Sequence, residues 1–134
     1  MYTITAIVLS LKMAAISIAQ GRARVAAGVF VNPEDAKSFA GKESSTEAPA
    51  VERASRAWRN DLENIPIFLL LGLIYVTLGC SPEGAYIYFT VFIVARILHT
   101  VAYLNAWQPW RTIFFTVGMV VCVALSIQIL MTVL

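Results

Sequence analysis

Four long apolar segments dominate the sequence, at about residues 2–20, 65–78, 85–104 and 110–134. A transmembrane helix needs about 20 mostly apolar residues to cross the hydrocarbon core of a bilayer. The chain is also 59% hydrophobic and only 13% charged, whereas soluble domains are nearer about 45–50% apolar and about 25% charged. Because backbone polar groups cannot stay unpaired in lipid, each membrane span is expected to be helical. The sequence therefore predicts one all-α integral membrane domain over residues 1–134, a bundle of four transmembrane helices.

The second apolar segment is too short to span a bilayer by itself. The stretch before it, VERASRAWRNDLEN at residues 51–64, contains three arginines, two glutamates and an aspartate, and no turn signal separates it from the apolar run. We therefore expect one helix over about residues 51–78 that enters the membrane obliquely. Pro66 cannot donate to the carbonyl of Leu62, so a bend is expected there.

The first apolar segment resembles a signal peptide in one respect, because Ser17-Ile18-Ala19 is similar to a cleavage site. It lacks a basic start, however, and Lys12 lies in its middle. A retained helix is therefore the preferred interpretation.

The basic residues of the loops predict the orientation in the membrane. The loop of about residues 22–50 is rich in Lys and Arg, the loop Gly79–Gly84 has neither, and the connection Asn105–Pro109 leads to Arg111. Since cytoplasmic loops carry the excess of Lys and Arg, the first and third loops are predicted to be cytoplasmic and both termini to lie on the opposite side.

Within the first loop, Asn32 followed by Pro33 predicts the start of a short helix. The polar residues at 41–50 predict a mobile linker. Cys80 and Cys122 match no metal or redox motif, and we expect neither a metal site nor a disulfide.

Polar residues of the charged helix form a stripe. On a helical wheel Arg53, Arg56, Asn60 and Glu63 fall on one side, whereas Asp61 points elsewhere. One interpretation is a solvated helix end whose arginines bind lipid phosphates. For Arg56, Asn60 and Glu63 we favour a binding site, because polar groups this close to the bilayer usually face a cavity.

A second polar stripe lies within the third apolar segment. Arg96, His99 and Tyr103 are spaced i, i+3 and i+7, which places them on one helix face. An internal ion pair or a helix-packing role is an equally good interpretation of Arg96 and His99. Arg111 and Thr112 begin the fourth segment at the same end of the bundle.

Together these side chains suit a small zwitterionic ligand with several carboxylates. Arginines bind carboxylates through two parallel hydrogen bonds, Glu63 can accept from an ammonium, and Asn60 can bond a peptide group. A spare arginine beside a thiol lowers the thiol pKa from its usual value of about 8.5. Glutathione has all of these groups, although composition and spacing alone do not single it out.

Four motifs carry a family resemblance, and they are FVNPEDA, VERASRAWRNDLENIPIF, ARILHTVAYL and QPWRT. In this order they resemble the membrane-associated proteins in eicosanoid and glutathione metabolism, in the branch of microsomal glutathione transferase 1 and microsomal prostaglandin E synthase. The leukotriene C4 synthase branch usually has Cys and Tyr where this chain has Asp61 and Asn64. Trp58 replaces a usual histidine, and the remaining differences point partly to the transferase and partly to the synthase.

The resemblance implies a homotrimer of four-helix protomers, with glutathione bound between neighbours at the cytoplasmic side. Carried over by position, it implies ten glutathione contacts: Arg24, Arg56, Arg59, Asn60, Glu63, His99, Tyr103, Arg111, Thr112 and Phe115. It also implies that Arg111 lies beside the sulfur and that Asp35 and Thr112 assist catalysis.

The expected function is that of an integral-membrane glutathione transferase acting in detoxification. It would hold glutathione as the thiolate and conjugate it to lipophilic electrophiles that arrive through the membrane lipid. The alternatives are a glutathione-dependent isomerase of the prostaglandin E synthase kind, a peroxidase acting on lipid peroxides, or a non-catalytic lipid-binding scaffold. A bacterial inner membrane and the endoplasmic reticulum both fit, and nucleic acid is not an expected partner.

The predicted orientation is tested by cysteine-accessibility labelling at Ser44 and at Ser81. We expect a single cysteine at position 44 to react from the cytoplasmic side and one at position 81 from the opposite side, because only the first loop is rich in Lys and Arg. Labelling of position 81 from the cytoplasm would overturn the orientation and the cytoplasmic placement of the site.

Overall fold

The computed structural model describes all 134 residues as a bundle of long helices with a small folded loop at one end. In chain order its elements are α1 (Tyr2–Ala27), β1 (Val29–Phe30), α2 (Pro33–Ser38), β2 (Lys42–Glu43), α3 (Pro49–Thr77), α4 (Pro82–Leu104) and α5 (Trp110–Val133). Helices α1, α4 and α5 are long and apolar enough to cross a membrane. Helix α3 carries the charged first half, so its membrane crossing stays a prediction. The predicted all-α membrane class is confirmed.

Local signals explain where the helices begin and end. Helix α1 continues past the predicted Gln20 to Ala27 and stops at Gly28, which adopts a left-handed φ of 61°. A glycine in this conformation is a common helix terminator because it has no Cβ to clash. Helix α4 starts after Ser81, whose hydroxyl oxygen accepts a hydrogen bond from the Gly84 N–H at 3.1 Å, as a helix N-cap does. Helix α3 continues through Pro66.

The loop between α1 and α3 is folded rather than wholly mobile. Strands β1 and β2 pair in parallel, with Val29 opposite Lys42 and Phe30 opposite Glu43. The Phe30 ring is buried, stacks on Phe39 at a centroid distance of 5.5 Å, and leaves no room for a Cβ at Gly41. The predicted short helix after Asn32 is confirmed as α2, whereas the prediction of a mobile linker is wrong for Lys42 and Glu43. Burial of Phe30 supplies the order that the polar sequence lacks.

Aromatic side chains fill the middle of the bundle. The rings of Phe68 on α3 and Phe92 on α4 stack at 3.7 Å between centroids, and Phe89 meets Phe68 edge-on at 5.6 Å. A Cβ at Gly72 would lie 3.2 Å from the Phe89 ring, so the glycine lets α3 and α4 pack closely here. Many other apolar side chains, such as Leu70, face outward, as expected for helices surrounded by lipid.

A buried ion centre joins the three helices α1, α3 and α4. The Asp61 side chain on α3 is fully buried; one carboxylate oxygen accepts from Arg96 Nη2 on α4 at 2.6 Å. The other oxygen pairs with the Lys12 ammonium on α1 and lies 3.5 Å from the Thr100 hydroxyl. Asp61 is off the polar stripe of α3 because it points into the bundle. The internal ion pair, one of two interpretations of Arg96, is therefore confirmed.

This arrangement predicts a large stability difference between two matched substitutions. Asp61→Asn removes the negative charge that compensates Lys12 and Arg96, and breaking a buried pair typically costs about 3–5 kcal/mol. Glu63→Gln is the same chemical change on an exposed side chain two residues further along the chain and should alter the free energy of unfolding by under about 0.5 kcal/mol. Thermal unfolding in detergent measures both, and equal midpoints would show that the ion centre does not stabilise the bundle.

Candidate functional site

A pocket opens where α3, α4 and α5 meet near the short turn between α4 and α5. Its volume is 270 Å³, and it is lined by Asn60, His99, Tyr103, Arg111, Thr112 and Phe115. Because α4 ends at Leu104 and α5 begins at Trp110, the turn folds the last residues of α4 onto the first turns of α5. One residue of the first predicted polar stripe, Asn60, and two of the second, His99 and Tyr103, therefore meet in this pocket.

The Arg111 side chain is held on two sides. Its guanidinium carbon lies 4.8 Å from the centroid of the Tyr103 ring, in the geometry of a cation–π contact. The Gln108 amide satisfies both of its neighbours when its oxygen accepts from Arg111 Nη2 at 2.6 Å and Nε at 3.1 Å, and its NH2 donates to the Thr112 hydroxyl at 3.1 Å. Such amide orientations are assigned from the hydrogen-bond network. These contacts fix a cation and a hydroxyl beside each other at the pocket wall.

His99 forms the buried part of the pocket. Its side chain is 2% exposed and packs against Tyr103 at 5.6 Å and Phe115 at 6.2 Å between ring centroids. Its Nδ1 atom has no hydrogen-bond partner within the protein. Buried polar atoms are rarely left unpaired, so this nitrogen retains the capacity for one hydrogen bond.

Asn60 links the pocket to the buried ion centre. Its side-chain oxygen accepts from Arg96 Nη2 at 2.6 Å, and the same nitrogen donates to Asp61. The sequence grouped Arg96 with His99 and Tyr103, but Arg96 does not line the pocket. It turns inward to Asp61 because a buried guanidinium requires a carboxylate partner.

Six of the ten predicted glutathione contacts thus line one pocket in a single protomer. The other four are Arg24, Arg56, Arg59 and Glu63. Arg56, Arg59 and Glu63 are exposed on α3, and Arg56 makes only an exposed pair with Glu52 at 3.4 Å. Arg24 on α1 pairs with Glu47 at 2.6 Å. These four side chains remain predicted contacts.

Asp35 lies away from the pocket, on the short helix α2 of the loop. Its carboxylate accepts from the Asn32 amide at 3.1 Å. No pocket residue contacts it within the protomer, and its catalytic role stays a prediction.

Sequence reasoning missed the contribution of Gln108. The residue precedes Arg111 by three positions in QPWRT, which is the spacing of neighbours on one side of a helical turn. That spacing is the signal that could have identified it, but an amide gives no charge or burial pattern in a sequence. It touches Arg111 because the turn between α4 and α5 brings it back over the start of α5.

The fold and pocket define a class, an all-α membrane protein with a cationic, aromatic-walled pocket at one end of its bundle. The chain matches the MAPEG family over residues 2–131 and belongs to that family. It is 42% identical to human prostaglandin E synthase over 123 residues, which are 91% of this chain and 81% of that protein. It is 40% identical to human microsomal glutathione S-transferase 1 over 124 residues, which are 89% of this chain and 80% of that protein.

The family and branch predicted from the motifs are therefore confirmed. Both relatives carry the names of enzymes, and the two identities are nearly equal. The rat prostaglandin E synthase is 40% identical over 123 residues, 91% of this chain and 80% of that protein. Overall identity therefore does not separate the transferase from the synthase.

Proposed function

We propose that this protein is a membrane-bound glutathione transferase. It binds glutathione in the pocket at the α4–α5 turn and conjugates the sulfur to lipophilic electrophiles. The observation that supports this most is the pocket itself, which brings six of the expected contact residues together in a chain 40% identical to microsomal glutathione S-transferase 1.

The groups in the pocket fit glutathione chemically. The peptide has two carboxylates, an ammonium, two peptide groups and a thiol. Arg111 offers a fixed cation, the free His99 Nδ1 offers a hydrogen-bonding atom, and Asn60 and Thr112 offer polar contacts. Most of this set consists of donors or cations, which is the set an anionic ligand requires.

One protomer supplies only part of the site. The pocket volume of 270 Å³ is slightly below the roughly 300–1,000 Å³ usual for small-molecule sites. The charged residues Arg56, Arg59 and Glu63 lie exposed on the same helix that carries Asn60. We propose a homotrimer in which neighbouring protomers bring these charges and Arg24 to the carboxylates and the ammonium of glutathione.

Arg111 is the residue proposed to activate the sulfur. Its positive charge stabilises the thiolate over the thiol, and the thiolate is the nucleophile. The sulfur electron pair forms a C–S bond with the electrophilic carbon, and the leaving group departs with the electrons of its bond. The Thr112 hydroxyl, fixed beside Arg111 by Gln108, is placed to donate to developing negative charge. The electrophile reaches the pocket from the bilayer, between the apolar faces of the helices.

A second candidate is an isomerase of the prostaglandin E synthase kind, supported by the 42% identity to the human enzyme. An isomerase returns glutathione unchanged, a peroxidase converts it to a disulfide, and a transferase consumes it in a thioether. Product analysis with a lipid peroxide and with a model electrophile distinguishes the three reactions. The proposed site faces the cytoplasm, whether the membrane is a bacterial inner membrane or the endoplasmic reticulum.

Glutathione binding is the first test. Titration of the detergent-solubilised protein should give saturable binding, weakened by Glu63→Gln because the ammonium of glutathione loses an acceptor. Glu34→Gln, at an exposed position on α2, is the matched control and should bind as the wild type does. Absence of saturable binding by the wild type would favour a lipid-binding scaffold instead.

Removal of the Arg111 cation should impair chemistry more than binding. In Arg111→Leu the other contacts of glutathione remain, but its thiol loses a cationic neighbour. Each unit of lost pKa depression corresponds to about 1.4 kcal/mol and, below the pKa, to about tenfold less thiolate. Turnover at neutral pH should therefore fall and partly recover as the pH rises.

Two further variants grade this effect. Arg111→Lys keeps a cation without the planar donors and should lie between wild type and Arg111→Leu, while Gln108→Ala should act in the same direction but less. The thiolate absorbance of bound glutathione against pH is the measurement, with turnover beside it. An unchanged titration and normal turnover in Arg111→Leu would refute this role.

A further inference from the structure

We infer that Arg96 is a positioning residue that orients the Asn60 amide, so that its NH2 group faces the pocket as a hydrogen-bond donor. The inference rests on the proposed glutathione site and specifies one of its contacts. The ligand group at Asn60 is then an acceptor, a peptide carbonyl or a carboxylate oxygen.

The hydrogen bonds of Arg96 determine the orientation of Asn60. A guanidinium has only donors, so the Asn60 atom at 2.6 Å from Arg96 Nη2 is the amide oxygen. The oxygen is therefore directed towards the ion centre. Asn60 also lines the pocket, and its NH2 is the side-chain polar group left for a ligand.

Arg96 itself is buried and is held through its Nη2 nitrogen. Its side chain is 1% exposed, and the nitrogen that meets Asn60 also donates to Asp61 at 2.6 Å. Asp61 is in turn fixed by Lys12 from α1. Without Arg96 the Asn60 amide can rotate about its last torsion at little steric cost, because its two ends have nearly the same shape. Its NH2 can then turn to the Asp61 oxygen that Arg96 has left without a donor, which withdraws the NH2 from the pocket. The guanidinium thus selects one of two similar orientations.

The ion centre offers a matched pair of substitutions. Lys12 and Arg96 are the two cations that contact Asp61, so Lys12→Met and Arg96→Met each leave one ion pair in place. Only Arg96 touches Asn60. A purely structural ion centre predicts equal effects of the two changes on glutathione binding, whereas a positioning role predicts an effect of Arg96 alone.

The experiment measures the glutathione dissociation constant of both variants in detergent, with thermal unfolding beside it. We expect about a tenfold increase for Arg96→Met, the loss expected for one hydrogen bond to the ligand, and under about twofold for Lys12→Met. Equal increases in the two variants would overturn the inference while leaving the proposed function intact. Absence of binding by the wild type would instead overturn the proposed function.

A double-mutant cycle separates positioning from general disturbance. If Arg96 acts through Asn60, Arg96→Met should change the dissociation constant by under about twofold in an Asn60→Ala background, because the group it orients is gone. If the fold-changes in the dissociation constant caused by Arg96→Met and by Asn60→Ala simply multiply in the double variant, the inference is contradicted. The KM for glutathione should rise with the dissociation constant, and the KM for the electrophile should stay unchanged.

Asn60→Asp tests the same point without removing Arg96, should Arg96→Met fail to fold. The aspartate keeps an oxygen for Arg96 and adds a second carboxylate to a centre with two cations and one carboxylate. It replaces the NH2 donor by an acceptor, so glutathione binding should weaken at least as much as in Asn60→Ala. Binding equal to wild type would show that no donor is needed at this position.

Discussion

The buried carboxylate of Asp61 is the interaction on which the rest of the structure depends. Taking an ion out of water is costly unless it is paired and hydrogen-bonded. The Asp61 carboxylate forms ion pairs with both Lys12 from α1 and Arg96 from α4. These ion pairs fix how α1, α3 and α4 are rotated about their axes and how far each is shifted along its axis relative to the others. The same ion pairs neutralise the charge of Asp61 in the first half of α3, which is the charged half of that helix.

The pocket is built directly on this ion centre. Asn60 is the sequence neighbour of Asp61, and His99 follows Arg96 by three residues, so the helix rotation that buries one pair of side chains presents the other pair to the pocket. The short turn between α4 and α5 then adds Arg111 and its Gln108 and Tyr103 contacts. Precise placement of a small number of polar groups therefore follows from packing in the core, which is how rigid sites are supported.

The outer surface of α3 differs from the pocket wall. Its charges at Arg56, Arg59 and Glu63 are exposed in the protomer, and isolated exposed pairs contribute little to stability. These three side chains lie close to Asn60 on the same helix. In the proposed homotrimer a neighbouring protomer would cover them, and they would contact glutathione there. The proposed homotrimer and the proposed glutathione site are thus linked, because formation of the trimer would bring these exposed charges to the ligand.

Long hydrophobic runs and local helix start and stop signals determined much of this protein from sequence. The long helices, the turn at residues 105–109 and the α2 start at Asn32 follow from local rules that act over a few residues, and the motifs predicted the family. Tertiary structure alone decided the partners of the buried charges: Asp61 with Lys12 and Arg96, separated by 49 and 35 residues, and the order that Phe30 gives the loop. A sequence shows that a charge within an apolar helix needs a partner, but the packing of distant helices determines which partner it meets.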